Sequence, residues 1–297
     1  MNNMLAEKYN QKKEGAIRSF DFKSHKVKLL YLIIGGLCVA TAVCMLFPVV
    51  WVFLSGFKEI KELNSSTSLW PEKIDLKLLG EAWNGMSFMK YYINSLIVVV
   101  GSVVCSVFVN GLTAYGLAIL KPKGSKIVSA LIFLCLMIPS TGSIVALYVN
   151  ICKLGLSNSF VPLWLSAGAS AFYVILFMNF FNSLPKDYLE AARLDGAGNF
   201  RLFISIVMPL AKPIAMVVVI FTISNAWSDF LLPYLLLNHS GKETVMVKLY
   251  LLESLDATTS VMMIRAILFS IIPPTIFFLI FQKKITDGAV GAGGIKG

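Results

Sequence analysis

Glu190-Ala191-Ala192-Arg193-Leu194-Asp195-Gly196-Ala197 is a charged stretch caught between two long apolar runs, and it continues through Phe200, Phe203, Ile204, Ile206 and Met208-Pro209. Pro185 suits the first turn of a helix, where its missing N–H costs nothing. Residues 186–194 are good helix formers, and Gly196 supplies a left-handed stop. Phe200, Phe203, Ile204 and Val207 recur at i, i+3, i+4 and i+7, which predicts a second short helix. Pro209 and Pro213 then break or kink the chain. The adjacent Ala191 and Ala192 offer a shallow helix face for close approach, with Glu190 and Arg193 at its edge. The spacing therefore predicts a helix–glycine turn–helix outside the bilayer, built for docking.

The surrounding chain is that of an all-α integral membrane protein. Of its 297 residues, 57% are hydrophobic and only 14% charged, with a mean hydropathy of +0.76. A soluble domain of this length would need far more polar surface. The net charge of +10 does not point to nucleic acid, because no basic patch with interleaved aromatics occurs. Of the five cysteines (Cys38, Cys44, Cys105, Cys135, Cys152), four lie in apolar runs as small hydrophobes. Their odd count and the lack of a Cys-x-x-Cys pair argue against a disulfide framework or zinc site.

Hydropathy divides the chain into about six spans: 29–54, 93–120, 127–149, 160–181, 214–237 and 263–281. The predicted organisation is an N-terminal segment (1–28), a first span with an outer segment (29–92) and a core (93–282). The core carries a docking loop at 182–212, between the fourth and fifth spans, and a tail (283–297) follows it. The run from residue 29 is too long for a signal-peptide core and is read as a retained span. Trp70, Trp83, Tyr91 and Tyr92 suit an outer segment at headgroup level. Gly101, Gly111 and Gly116 suit close helix packing in the second span. Pro139-Ser140-Thr141-Gly142 interrupts the third, and such a break needs protein or a cavity around it. Residues 238–263 read as a polar outer segment.

Lys and Arg set the orientation. One side holds Lys8, Lys12, Lys13, Arg18, Lys23, Lys26 and Lys28, the turn lysines Lys121, Lys123 and Lys126, and Lys186, Arg193, Arg201 and Lys212 of the docking loop. Lys283, Lys284 and Lys296 join them. The opposite side holds Lys58, Lys61, Lys73, Lys77, Lys90, Lys153, Lys242 and Lys248, with Arg265 at its edge. This bias places both termini and the docking loop in the cytoplasm of a multi-pass protein.

Glu-Ala-Ala, three residues, Gly, nine residues, then Ile-x-Leu-Pro is the signature loop of the membrane subunits of binding-protein-dependent ABC importers. Glu190, Ala191, Ala192, Gly196, Ile206 and Pro209 match it, while Met208 replaces the usual leucine with similar bulk. The chain resembles this family over 29–297, and Asp195-Gly196-Ala197 is similar to its carbohydrate, maltose-type permeases. The resemblance implies coupling to an ATPase through Glu190, Ala191, Ala192, Arg193, Asp195 and Gly196. It also implies a homologous second permease, two ATPase subunits and an extracytoplasmic solute-binding protein, in a bacterial cytoplasmic membrane with its lipid. No cofactor would be bound by this chain; ATP and magnesium would sit on the partner ATPase subunits.

The residues themselves offer no catalysis. There is no G-x-x-x-x-G-K-[ST] phosphate loop, and His25 and His239 form no cluster. Asn110, Asn225 and Asp229 are candidate pathway residues, since a lipid-facing amide or carboxylate would cost several kcal/mol. For Asn110 and Asn225, helix–helix hydrogen bonding is an equal alternative. Asp229, between Trp227 and Pro233, suits an outer gate. Two alternatives to a sugar permease stand at this point: a single-chain ion-coupled carrier, and an ABC permease for a non-sugar solute. A carrier would usually need more intramembrane ionisable groups than this chain offers.

Overall fold

The computed structural model describes residues 25–65, 68–138, 140–254 and 259–293. The lysine-rich segment before residue 25, Pro139 and the Gly294-Ile295-Lys296-Gly297 ending lie outside the described residues, as do the side chains of Ser140, Thr141, Lys283 and Lys284. Among the described residues every element is helical.

Helix α1 (His25–Ser55) spans 31 residues, about 46 Å at 1.5 Å per residue. From Lys28 on its sides are open almost throughout, and burial begins only at Leu54 and Ser55. There Arg265 holds the chain, its Nε donating to the Gly56 carbonyl (3.0 Å) and Nη2 to the Lys58 carbonyl (3.0 Å). Gly56 permits this approach, because a Cβ there would lie 2.7 Å from Leu268 Cδ2. Two short helices follow, α2 (Ile60–Ser65) and α3 (Leu76–Gly85).

Helix α4 (Phe88–Tyr115) is the mast of the fold. It runs on through a π-helical turn, Gly116–Leu120. The 33 residues reach about 50 Å, enough to cross a hydrocarbon core of about 30 Å. Against it pack α7 (Val161–Gly168), α8 (Ala171–Asn182) and α11 (Lys212–Ser228). Of the three glycines expected to serve packing, Gly101 does so most sharply, since a Cβ there would fall 2.2 Å from the Trp164 indole nitrogen. That nitrogen donates to the Ile97 carbonyl at 3.2 Å. Gly111 makes ordinary contacts, and nothing lies within 4 Å of a Cβ at Gly116.

Several expected spans are broken. The third is filled by two short helices, α5 (Ser125–Cys135) and α6 (Ser140–Lys153). The fourth is the pair α7–α8, bent by 41°. In the docking loop, α9 (Lys186–Leu194) is followed by α10 (Asn199–Leu210), which meets α11 at 81°. The fifth run breaks again after Ser228, before α12 (Leu231–Leu237). The sixth is one helix, α14 (Ser260–Gly293), containing Pro273 and Pro274 and continuing into the expected tail.

The outer segments are more packed than their polarity implies. Residues 238–263 contain α13 (Val245–Glu253), with Val245, Val247 and Leu252 buried. Asn94 Nδ2 donates to the Glu243 carbonyl (2.9 Å) and Ser95 Oγ accepts from the Val245 N–H (2.9 Å), pinning this segment on α4. Burial lowers the pKa of Lys248 on α13; Glu243 opposes the shift and Lys90 reinforces it. Trp83 and Tyr92 are half-buried. They join Phe88, Phe269 and Trp227 in one aromatic cluster, closed by the Trp227 indole donating to the Ser270 carbonyl at 3.1 Å. Edge-to-face rings of this kind add to the packing gained by burial alone.

Candidate functional site

The docking element forms as its residues dictate. Pro185 stands just before α9 as its cap rather than inside the first turn. At the other end Gly196 adopts φ +80°. Its N–H donates to the Arg193 carbonyl (3.0 Å), while the Ala197 N–H donates to the Ala192 carbonyl (3.0 Å). These are the paired bonds of a Schellman stop, in which a left-handed residue lets the last carbonyls be satisfied.

The two alanines face opposite ways. Ala192 is buried with Leu189 in the main apolar cluster, beside Phe181 and Phe203, while Ala191 is exposed. A face on which both alanines are presented is therefore not what the helix offers. A turn of about 100° per residue separates neighbours, and here that step carries Ala192 to the side of Leu189 while Ala191 stays with Glu190 and Leu194 on the exposed side. The outward face carries Tyr188 and Leu194, 57% and 89% exposed, beside Glu190, Arg193 and Asp195.

In α10 a π-helical turn, Phe203–Val207, shifts the register. Leu202, Phe203 and Val207 are buried, whereas Phe200 and Ile204 are exposed. The Tyr115 hydroxyl donates to the Asn199 carbonyl at 3.0 Å, joining the end of α4 to the start of α10. Docking face, α4 and α8 thus share one packed unit.

The three pathway candidates separate. Asn225 and Asp229 line a cavity of about 410 Å³ between α4, α7, α8 and α11. Asn110 does not line it. It is fully buried, and its amide is committed. Nδ2 donates to the Ser106 (2.9 Å) and Ala167 (3.0 Å) carbonyls, and Oδ1 accepts from the Ser170 N–H (3.0 Å). Ala167 and Ser170 flank the break between α7 and α8, where one helix leaves a carbonyl unpaired and the next an N–H. Asn110 serves both.

The cavity wall is rich in hydroxyls: Ser102, Ser166, Ser170, Tyr173, Thr222 and Ser228. Asn225 Nδ2 donates to the Tyr173 hydroxyl at 3.2 Å. Thr222 Oγ1 is buried and has no hydrogen-bond partner among the described residues. Asp229 ends α11 and faces the backbone N–H groups of Phe230, Leu231 and Leu232 at the start of α12. Sequence reasoning missed Tyr173 and Thr222. Thr222 precedes Asn225 by three residues and Asp229 by seven, the spacing of one helix face, and that is the signal that finds it. Tyr173 carries no such signal.

Cysteine placed at Asn225 or Asp229 is expected to react with a membrane-impermeant thiol reagent, in a background lacking the five native cysteines. Cysteine at Asn110 is expected to stay unlabelled. Labelling at Asn110, or at none of the three in any nucleotide state, contradicts this division.

Residues 108–287 match the family described as binding-protein-dependent transport system inner membrane component. The chain is 30% identical over 262 residues to the diacetylchitobiose uptake system permease protein NgcG of Streptomyces coelicolor, covering 87% of this chain and 86% of that one. It is 31% identical over 267 residues to the galactooligosaccharides transport system permease protein GanQ of Bacillus subtilis, with coverages of 86% and 92%. A bacterial ABC transporter involved in alginate import contains a chain of the same fold, with a TM-score of 0.79 at 23% identity over 88% of this chain and 98% of that one. On its helices and this match, the chain belongs to the family of binding-protein-dependent transport system inner membrane components.

Proposed function

We propose that the chain is a permease subunit of a carbohydrate ABC importer, forming half of the translocation pathway for a sugar or oligosaccharide. The observation that carries the reading is the hydroxyl- and amide-lined cavity lying on the same packed helices as an exposed, charged docking helix. Sugars are recognised through many neutral hydrogen bonds together with an aromatic surface. Ser102, Tyr173, Thr222 and Asn225 supply donors and acceptors of that kind around the cavity. Asp229 stands where the helix breaks and can open or close the outer end. The relatives named above carry diacetylchitobiose and galactooligosaccharides in their names, which supports a carbohydrate substrate.

Energy enters through α9. Glu190, Arg193 and Asp195, with exposed Tyr188, Ala191 and Leu194, meet a partner ATPase that holds the ATP and magnesium. Leu189 and Ala192 pass its movement to α4 and α8 as a rigid-body displacement. A homologous second permease completes the pathway, and an extracytoplasmic binding protein delivers the sugar. The termini and α9 lie on the cytoplasmic side of a bacterial membrane in this reading, which the Lys and Arg bias of the loops supports.

Reconstitution tests the reading. The purified chain alone in liposomes is expected to accumulate no sugar. Uptake should appear with a second permease, ATPase subunits, a binding protein and ATP. Accumulation by the lone chain under a proton or sodium gradient would replace this reading with the ion-coupled carrier.

A further inference from the structure

We infer that the groove between the end of α4 and α5 is a binding site for an anionic phospholipid. The groove, about 900 Å³ in volume, is lined by two kinds of surface. Leu117, Ala130 and Phe133 make an apolar wall, and Lys121 and Lys126 make a basic rim with Ser125. No acidic residue lines it among the described residues. The turn that carries the rim, Lys121-Pro122-Lys123-Gly124-Ser125-Lys126, contains three lysines and no acid.

Its level in the membrane follows from α4. The π turn closes a helix long enough to cross the bilayer, so Lys121 stands at the water interface whichever way the chain is inserted. The wall continues into an apolar face of α5, where Ile127, Leu131 and Leu134 are 68%, 55% and 56% exposed. An acyl chain can lie along that face while the phosphate meets the lysines. Lys121 is held in place by its backbone, at φ 48°, with its N–H donating to the Gly116 carbonyl at 2.9 Å. No side chain caps the start of α5, so the positive end of its dipole adds to the same field. The charge of the rim selects the occupant. An apolar helix of another subunit would leave both lysines unpaired, whereas an anionic headgroup neutralises them and its tail covers the wall.

Lys121 also lines a second, smaller cavity, of about 260 Å³, with Lys186, Glu190 and Arg193 of the docking helix. A lipid held at the groove therefore borders the surface through which the ATPase is read, and the anion content of the membrane reaches the coupling element. The site itself does not depend on the transport reading; it needs only a chain that spans the bilayer.

The test is native mass spectrometry of the full chain assembled with its partner subunits, titrated with phosphatidylglycerol or phosphatidylcholine. Retention of phosphatidylglycerol is expected to exceed that of phosphatidylcholine. The preference should fall about fivefold for each lysine removed, in Lys121→Gln and Lys126→Gln. Lys73→Gln and Lys77→Gln, on the opposite side, should leave it unchanged. Ala130→Trp, which fills the wall and keeps both lysines, should displace both lipids. Equal retention of the two lipids, or an undiminished preference in the Lys121→Gln/Lys126→Gln chain, overturns the inference. So does displacement by millimolar inorganic phosphate, which would mark a phosphate site without a tail. Binding to the lone chain that disappears in the assembly would give the groove to a partner subunit instead.

Discussion

Gly196→Pro is expected to abolish substrate-stimulated ATP hydrolysis in proteoliposomes holding all partners, while the chain still reaches the membrane. Gly196 sits at φ +80°, and proline is confined to about −65°. The substitution also removes the N–H that bonds the Arg193 carbonyl. The Schellman stop is lost, and α10 leaves α9 in a different direction. Burial of Leu189 and Ala192 beside Phe181 and Phe203 holds the rest of the loop, so the damage is to the angle between two helices. Gly196→Ala grades the effect. A non-glycine residue in the left-handed region costs about 1–2 kcal/mol, so this chain should keep part of its coupling. Glu190→Lys reaches the same end without touching the backbone, since Glu190 is exposed and a reversed charge meets the partner in a desolvated contact. Stimulated hydrolysis at the normal level in both Gly196→Pro and Glu190→Lys would remove α9 as the coupling element. Comparable membrane levels in all three variants separate lost coupling from lost folding.

The start and stop of α9 were legible because they depend on local chemistry. Proline cannot continue a helix backwards, and glycine alone enters the left-handed region without strain. What lay beyond reach was decided by distant partners. The direction of Ala192 depends on the buried apolar cluster it joins, whose members come from α4, α8, α10 and α11 as well as α9. The π turn at Phe203–Val207 buries Leu202 in place of Phe200 and Ile204, and no local pattern announces an extra residue in a helical turn. The break between α7 and α8 carries no proline. It sits at Ala169-Ser170, with Gly168 packed so close to α4 that a Cβ would lie 3.3 Å from that of Cys105. Asp229 and Asn225 were legible as polar residues in an apolar run that had to face something other than lipid. Asn110 satisfied the same rule, yet the rule does not distinguish water from a carbonyl on another helix.

That distinction gives Asn110 the second large expected effect. Asn110→Leu keeps a similar volume and removes all three hydrogen bonds of the amide. The Ser170 N–H loses the acceptor that Oδ1 provides, and the Ala167 carbonyl keeps only the Ser106 hydroxyl, at 3.1 Å. Each polar group left unpaired in a buried site costs roughly 1–3 kcal/mol, and no water is at hand in the hydrocarbon region to replace it. Asn110→Leu should therefore lower the thermal midpoint of the purified chain and cut uptake, because Ala167, Ser170 and Tyr173 of the cavity wall are all set by that break. Asn110→Asp retains an acceptor for Ser170 but turns a carboxylate toward the Ser106 and Ala167 carbonyls, so it should fare no better. A lining residue would behave otherwise: Asn110→Leu would leave the thermal midpoint unchanged and alter only the sugar concentration needed for half-maximal uptake. A lowered midpoint together with reduced uptake identifies Asn110 as the residue that positions the cavity wall, whereas the second pattern would return it to the pathway.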